Sequence, residues 1–485
     1  MGLTSGTNAQ SGGPLQASAS ATVTATDNMN PGQASKSADV ITRLTAGLAY
    51  ASAAGAVQGH AKYDVTEFLY ARHGDRNALR HSLLADLAAE LVQGRAYVDL
   101  RASVAQSAVS AFGPQVTDDG RNASNAAEVA TLALSPRLNG VLLGQLAYAA
   151  SGTFQANDAA GTSRGDGTSR LANLSLSPVS AGRLSWNLAV SHQVSSIKLG
   201  LSTETDRVTL GTRWLVPEAD LSLSASAGRE YGDLVARTGG AHDIWSAGLV
   251  WTPSPLTALD LSAGRRPTGG LYQAGLTFRT PLTIWRASFS RNVVDSSVQS
   301  TVSQGTNYDL FFAQFASVEP DPVKRDALVT AFLSRSGLSP DGVVKSSFLT
   351  SAQTIDQRVD LSVAWRDNRS TAVVNYLRGV SRRADNATVA VDDLADTSRV
   401  RNASWSVSLS HQLTPALSSS MSLSDLHNRG DRAEQSSKTR RAYLSLVGTV
   451  TSRESWTLSL RRSLNESALK TYSESAISGA YSLQF

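Results

Sequence analysis

The chain predicts an all-β fold, a transmembrane antiparallel β-barrel of about 22 strands, within roughly 20–22, carrying one helical loop insert. Three observations point there. Short segments alternating apolar and polar residues with period two run almost from end to end, the mark of strands whose two faces meet different surroundings. Tight turns alternate along the chain with longer polar loops. No run of ~18 apolar residues occurs, which excludes helical spans. The alternation is clear in Leu221, Leu223, Ala225 and Ala227 set against Ser222, Ser224, Ser226 and Gly228. It recurs in Trp405, Val407 and Leu409 against Ser404, Ser406, Ser408 and Ser410, and in Trp456, Leu458 and Leu460 against Thr457, Ser459 and Arg461. A soluble sandwich also alternates, but rarely across so many consecutive hairpins. The absence of a fixed-period motif weighs against a solenoid or propeller.

Residues 1–14, rich in Gly, Ser and Asn, read as a flexible lead-in. Residues 15–485 form the barrel. Leu15–Thr26 opens it, and the turn-forming run Asp27 to Gly32 ends that strand. Ten hairpins follow: Ile41–Ser52 with Val57–Ala71, Leu79–Leu91 with Ala96–Val109, and Glu128–Pro136 with Val141–Thr153 across a turn at Arg137–Gly140. Next come Ser169–Pro178 with Leu184–Ser195, Thr205–Leu215 with Asp220–Tyr231, and His242–Thr252 with Thr257–Arg266 across Pro253–Leu256. Leu271–Thr280 pairs with Thr283–Val294, Ile355–Arg366 with Ser370–Arg382, Arg401–Gln412 with Leu417–Asn428, and Arg440–Thr451 with Ser455–Glu466. Ser473–Phe485 closes the series. An even count puts both termini on the short-turn side and the long loops on the other. Strands of ~10 residues span a bilayer at the usual tilt.

Composition agrees. Charged residues make up 17% of the 485 residues, against a usual ~25%. The absence of cysteine removes disulfides, zinc-thiolate sites and thiol nucleophiles together. A net charge of +4 over this length gives no reason to expect nucleic acid as a partner. Met1–Gly13 has neither a basic n-region nor an apolar h-region, so no signal peptide is legible. That fits a mature form behind an added methionine, or a misplaced start.

One segment breaks the pattern. Within 295–354, Glu319-Pro320-Asp321-Pro322 reads as a helix start, with Asp321 as cap and Pro322 at the first helical position. Val323, Ala327, Leu328, Ala331 and Phe332 follow at helical spacing, and Ser336-Gly337 ends the helix. This insert falls among the long loops. Its apolar face either packs on the loops beside it or folds into the mouth, with Leu328 and Phe332 as a constriction.

No catalytic or metal site is legible, and no cofactor is expected. The seven histidines, His60, His73, His81, His192, His242, His411 and His427, show no metal-ligand spacing, and no phosphate-binding glycine motif occurs. A serine near His411 or His192 is no signal in so serine-rich a chain. By alternation Arg266, Arg279, Arg286, Arg358, Arg366 and Arg461 fall on the polar face with Asp260 and Asp360. They read either as interstrand ion pairs or as basic rungs guiding an anionic or hydroxylated polymer. Tyr70, Trp186, Trp214, Trp245, Trp251, Trp285, Trp365, Trp405 and Trp456 near strand ends read as interfacial girdles or lipid-facing bulk.

The ending places Ile477, Gly479, Tyr481, Leu483 and Phe485 on one face. It resembles the carboxy-terminal signal of bacterial outer-membrane barrels, read by their barrel-assembly machinery through Tyr481, Leu483 and Phe485, with Gly479 one place off the usual glycine. Three stretches resemble the outer-membrane proteins associated with the PEP-CTERM/exosortase system of exopolysaccharide loci. They are Trp251–Thr257 with Leu261–Arg266, Phe278–Thr280 and Phe289–Arg291; Pro320–Leu338 with Phe348–Thr350; and Asp75–Asn77 with Leu79–Ser107. The resemblance implies a non-enzymatic pore in the outer membrane of a Gram-negative bacterium. It would be set in outer-membrane lipid, taking part in exopolysaccharide export with periplasmic polysaccharide-export proteins. A general diffusion porin and a surface scaffold are the alternative expectations.

Overall fold

A computed structural model describes residues 15–29, 36–52, 54–113, 125–180, 182–200, 202–232, 240–294, 298–300, 311, 329, 347–384, 392–451, 453–467 and 471–485. In chain order the strands are β1 (Leu15–Thr26), β2 (Asp39–Ser52), β3 (Val57–Tyr70), β4 (Ala78–Val92), β5 (Ala96–Ala108), β6 (Ala126–Leu142), β7 (Leu146–Ala159) and β8 (Gly167–Pro178). Then come β9 (Leu184–Ile197), β10 (Ser202–Val216), β11 (Leu221–Gly232), β12 (Gly240–Ser254), β13 (Thr257–Arg266), β14 (Gly269–Arg279), β15 (Thr283–Val294), β16 (Val298–Ser300) and β17 (Ser347–Leu349). The series ends with β18 (Thr354–Arg366), β19 (Ser370–Arg383), β20 (Arg399–Thr414), β21 (Leu417–Arg429), β22 (Ser436–Thr449), β23 (Glu454–Ser467) and β24 (Thr471–Gln484).

Twenty-two of these close into one antiparallel sheet, each paired with its neighbours in the chain. β15 pairs directly with β18, while β16 and β17 form a separate two-stranded piece inside the insert. β24 returns to β1, with Ser18 opposite Gln484 and Thr26 opposite Ala476. Neighbouring strands thus satisfy one another's backbone groups around the whole ring, which a bilayer demands and an open sheet cannot supply. The chain is a transmembrane β-barrel of 22 strands, with both ends of the described chain at the short-turn end.

Alternation decides the faces. All eight tryptophans lie on the outer face, between 37% and 53% exposed. They share it with residues such as Leu210, Leu361, Leu444 and Ile477. Tyr70 does not join them. It is buried with Met29, Ile41 and Phe68 in a small cluster under the β1–β2 loop, because Ile41 stands opposite it in the lumen-facing row. The lumen face of β20 is the serine row Ser404, Ser406, Ser408 and Ser410, each at most 7% exposed. On the wall of β11 and β12 the lumen-facing Ser224 and Ser246 remain exposed. Water therefore reaches one side of the interior and not the other.

Two turns differ from the sequence reading. The chain does not turn at Arg137–Gly140; β6 continues to Leu142 and reverses at Leu143-Gly144, with φ of 52° and 71°. Positive φ at both central residues is the hairpin geometry that matches strand twist. Asn139-Gly140 imitates that signal, yet Gly140 serves another purpose: a Cβ there would lie 2.5 Å from the Tyr148 hydroxyl. β12 likewise runs through Pro253 to Ser254, absorbing a register shift between Trp251 and Ser254 before the turn. Gly479 faces the membrane with open space around it, so its offset costs no packing.

Candidate functional site: a bridged mouth and a charged lumen

The expected constriction residues Leu328 and Phe332, with most of 295–354, lie outside the described residues. Phe311 and Val329 are helical and fully buried. The insert's return limb is buried. From Phe348 to Thr354 every residue is at most 2% exposed. This limb leads into β18, yet β17 packs on β5, which stands eleven strands away around the 22-strand ring in either direction. Leu349 is buried with Ala127, Val129 and Ala159 of β6 and β7. Phe348 and Ala352 pack with Ala111, Leu394 and Val400. The limb is a chord across the long-loop end of the barrel.

Polar contacts pin the chord. Asp392 accepts 2.8 Å and 2.7 Å hydrogen bonds from the Thr350 hydroxyl and the Ser351 N–H through one carboxylate oxygen. Its other oxygen accepts from the Ala395 N–H, so it also caps the single helical turn Asp393–Asp396. Gln353 donates a 2.6 Å bond to the Thr203 hydroxyl on β10. Gly200 lies so close that a Cβ would come 2.1 Å from the Ser351 carbonyl oxygen.

A second chord comes from the β5–β6 loop. Ala111, fully buried, donates its N–H to Asp393 at 2.6 Å and accepts at its carbonyl from Asn428 of β21 and Ser437 of β22. The Ser110 hydroxyl adds a 3.1 Å bond to Asp393. The loop after β21 is tied in by Asp431, whose carboxyl lies well below the usual range. The Ser398 hydroxyl is the largest cause; burial opposes it, and the Arg399 and Thr397 donors add to it.

Burial pushes the Asp393 carboxyl above its ordinary range, against the Ala111 and Ser110 hydrogen bonds and the charge of Arg164. A carboxyl raised by folding contributes fully below its unfolded pKa and loses that contribution as pH rises through its folded pKa. The mouth is therefore expected to tighten in acid and loosen toward neutral pH. Single-channel closed times are expected to lengthen as pH falls from 7 to 4, and Asp393→Asn to flatten that dependence.

In the lumen, Arg266, Arg279, Arg286, Arg358, Arg366, Arg461, Asp260 and Asp360 all fall on the inner face, as alternation required. Most are spoken for. Arg358 grips Asp360 on its own strand through two bonds of 2.7 and 3.1 Å. Arg266 of β13 and Arg207 of β10 converge on the buried Glu230 of β11 at 2.8 and 3.0 Å. Arg461 meets Glu474 at 3.0 Å. Arg279 donates to the Pro255 carbonyl. Arg286 stands opposite Ser362, and Arg366 opposite Thr371. Asp260 takes only a 3.5 Å bond from Gln273 and makes no ion pair among the described residues, because Arg266 turns to Glu230 instead. The pairs Arg101–Asp86 and Arg137–Asp99, with Arg137 also over the Tyr97 ring at 5.1 Å, extend the charged lining toward the short-turn end. Among the described residues, then, Arg266 and Arg461 pair with carboxylates across strands, and Arg358 pairs within its own strand.

Register also joins what spacing did not. His192, Glu204 and Asp206 present ligand-type atoms within 4.8 Å of one another on the outer wall of β9 and β10. All three are exposed, and the 2.7 Å bond between His192 and Asp206 explains the grouping without an ion. His411 bonds the Ser370 hydroxyl at 2.9 Å, but no carboxylate among the described residues orients its other nitrogen, as a hydrolase triad requires.

No protein-family model and no curated protein matches the chain. Solved structures do resemble it. The FrpB iron transporter from Neisseria meningitidis (F5-1 variant, apoprotein form) aligns over 97% of this chain and 81% of its own at 10% identity, with a TM-score of 0.50. The siderophore receptor PirA from Acinetobacter baumannii aligns over 98% and 81% at 8% identity and a TM-score of 0.47. Pseudomonas aeruginosa OccK2 (OpdF) aligns over 97% and 98% at 10% identity and a TM-score of 0.36. At such identities the likeness to FrpB is one of fold.

Proposed function

We propose that this barrel is a gated, non-enzymatic channel of a Gram-negative outer membrane that carries an exopolysaccharide outward. In this reading periplasmic export proteins engage its short-turn end and the barrel-assembly machinery inserts it. The mouth carries the reading. A barrel whose own chain crosses its long-loop end from opposite walls is built for controlled passage, and a freely diffusing solute needs no such bridge. The lining supports it too: hydroxyls and neutralised ion pairs offer hydrogen bonds to a hydroxylated polymer without holding it by net charge. The resemblance to exopolysaccharide-locus barrels points to the same class of cargo.

Deleting the gene is expected to leave polymer trapped in the periplasm; normal surface polymer in the deletion strain overturns the proposal. The buried serine wall of β20 favours one alternative, a closed surface scaffold. Planar-bilayer recording separates the two, since a scaffold stays silent even after the mouth contacts are cut.

A further inference from the structure

We infer that the outer wall beside the seam, across β20 to β24, binds a phosphorylated, acylated lipid of the outer leaflet, its phosphates on Lys438, Arg440 and Arg462 and an acyl chain in the groove beneath them. This rests on the outer-membrane placement proposed above. The faces follow from register. Arg440 stands opposite Asp425, and Arg462 opposite Ala442 and Ser475, in the rows that carry Leu444, Leu460 and Ile477 on the membrane side. Lys438 and Arg440 share Asp425 at 3.4 and 3.3 Å, and Arg440 also reaches Glu466 at 3.7 Å. These carboxylates hold the cations in place without matching their number.

Positive charge continues past them. Arg401 stands directly opposite Arg429, and Arg382 opposite Arg399, on the same membrane-facing side. Like charges directly across an antiparallel ladder destabilise it. Asp431 reaches Arg399 at 3.0 Å and Arg401 at 3.8 Å, but no carboxylate among the described residues meets Arg382 or Arg429. An anion from outside the chain relieves this repulsion, and arginine forks suit phosphate oxygens.

The second observation is the groove. A depression of about 540 Å³ opens on the same wall, almost wholly apolar. It forms where the small Ala25 and Ala442 leave room beside Met421, Leu444, Leu460 and Ile477. Arg462 and Ser475 close its upper end, toward the long loops, and the guanidinium donates to the Ser475 hydroxyl. An apolar slot beneath a cluster of cations matches a molecule with acyl chains and a phosphate head, and neither part alone fits both. Basic groups beside a bilayer draw anionic headgroups.

The test uses the purified, folded barrel, exchanged from mixed micelles holding diphosphoryl lipid A or phosphatidylcholine, with retained lipid measured by native mass spectrometry. Wild type is expected to retain diphosphoryl lipid A. The variant Lys438→Ala/Arg440→Ala/Arg462→Ala is expected to hold it about a hundredfold more weakly. Ala442→Trp, which fills the groove and leaves every charge in place, is expected to lose retention as well, and it keeps the test open if the triple variant does not fold. Equal retention of phosphatidylcholine, unchanged retention in both variants, or displacement of the lipid by millimolar inorganic phosphate overturns the inference. Because lipid is read on isolated protein, a barrel that holds lipid A yet exports no polymer sinks the export proposal alone.

Discussion

Asp392→Ala is expected to open the mouth. The substitution leaves the Thr350 hydroxyl and the Ser351 N–H, both buried, without their shared acceptor and uncaps the turn Asp393–Asp396. An unsatisfied buried donor costs about 1–3 kcal/mol, so the bridged state loses on the order of 3 kcal/mol. That corresponds to a shift of roughly a hundredfold between bridged and open mouths. In planar bilayers the variant is expected to show frequent openings where wild type is mostly closed. Asp425→Ala, on the outer wall, serves as the control and is expected to leave gating unchanged. A variant as silent as wild type would show that the chord is not the gate.

The second large effect is expected at the seam. Glu474 of β24 is 2% exposed and accepts from Thr26 of β1 at 2.8 Å and from Arg461 of β23 at 3.0 Å, tying three strands together. Glu474→Ala takes away the carboxylate that faces Arg461, and breaking a buried pair by removing one member costs about 3–5 kcal/mol. The temperature at which the folded form disappears in heat-modifiable gel migration is expected to fall clearly. Glu466→Ala, whose 3.7 Å pair with Arg440 is loose and half-exposed on the outer wall, is expected to move it little. Equal shifts in the two variants would sink this account of the seam.

The barrel was legible from the chain because its signal is redundant. One misjudged hairpin among many changes neither the count nor the faces, and Thr257–Arg266 and Thr283–Val294 fall where alternation placed them. The lumen arginines were legible for the same reason, since parity along a strand assigns the face. Their partners were not. Glu230 gathers Arg207 and Arg266 from 23 and 36 residues away, and that meeting depends on register between strands, which no local pattern states. The mouth was least legible of all. Ala111 and Asp393 stand 282 residues apart and read as ordinary loop residues, yet the ring brings them to 2.6 Å. The arginines of the outer wall were not legible as a group, because they stand at the parity that elsewhere carries the apolar residues.

The closure of β24 on β1 also sets an order of events. Most other pairings join strands linked by a short turn or loop and can zip as the chain arrives, whereas Thr24 and Ser478 or Thr26 and Glu474 meet across separations of 454 and 448 residues. Bringing such distant ends together costs about 3 kcal/mol more entropy than closing a loop of a dozen residues. Contacts of this range form late and slowly. Until they do, the sheet has two unpaired edges, each a template for any strand that comes near. The seam is therefore the last part of the wall to exist, and whatever inserts the barrel has to shield those edges until the final strand is in place.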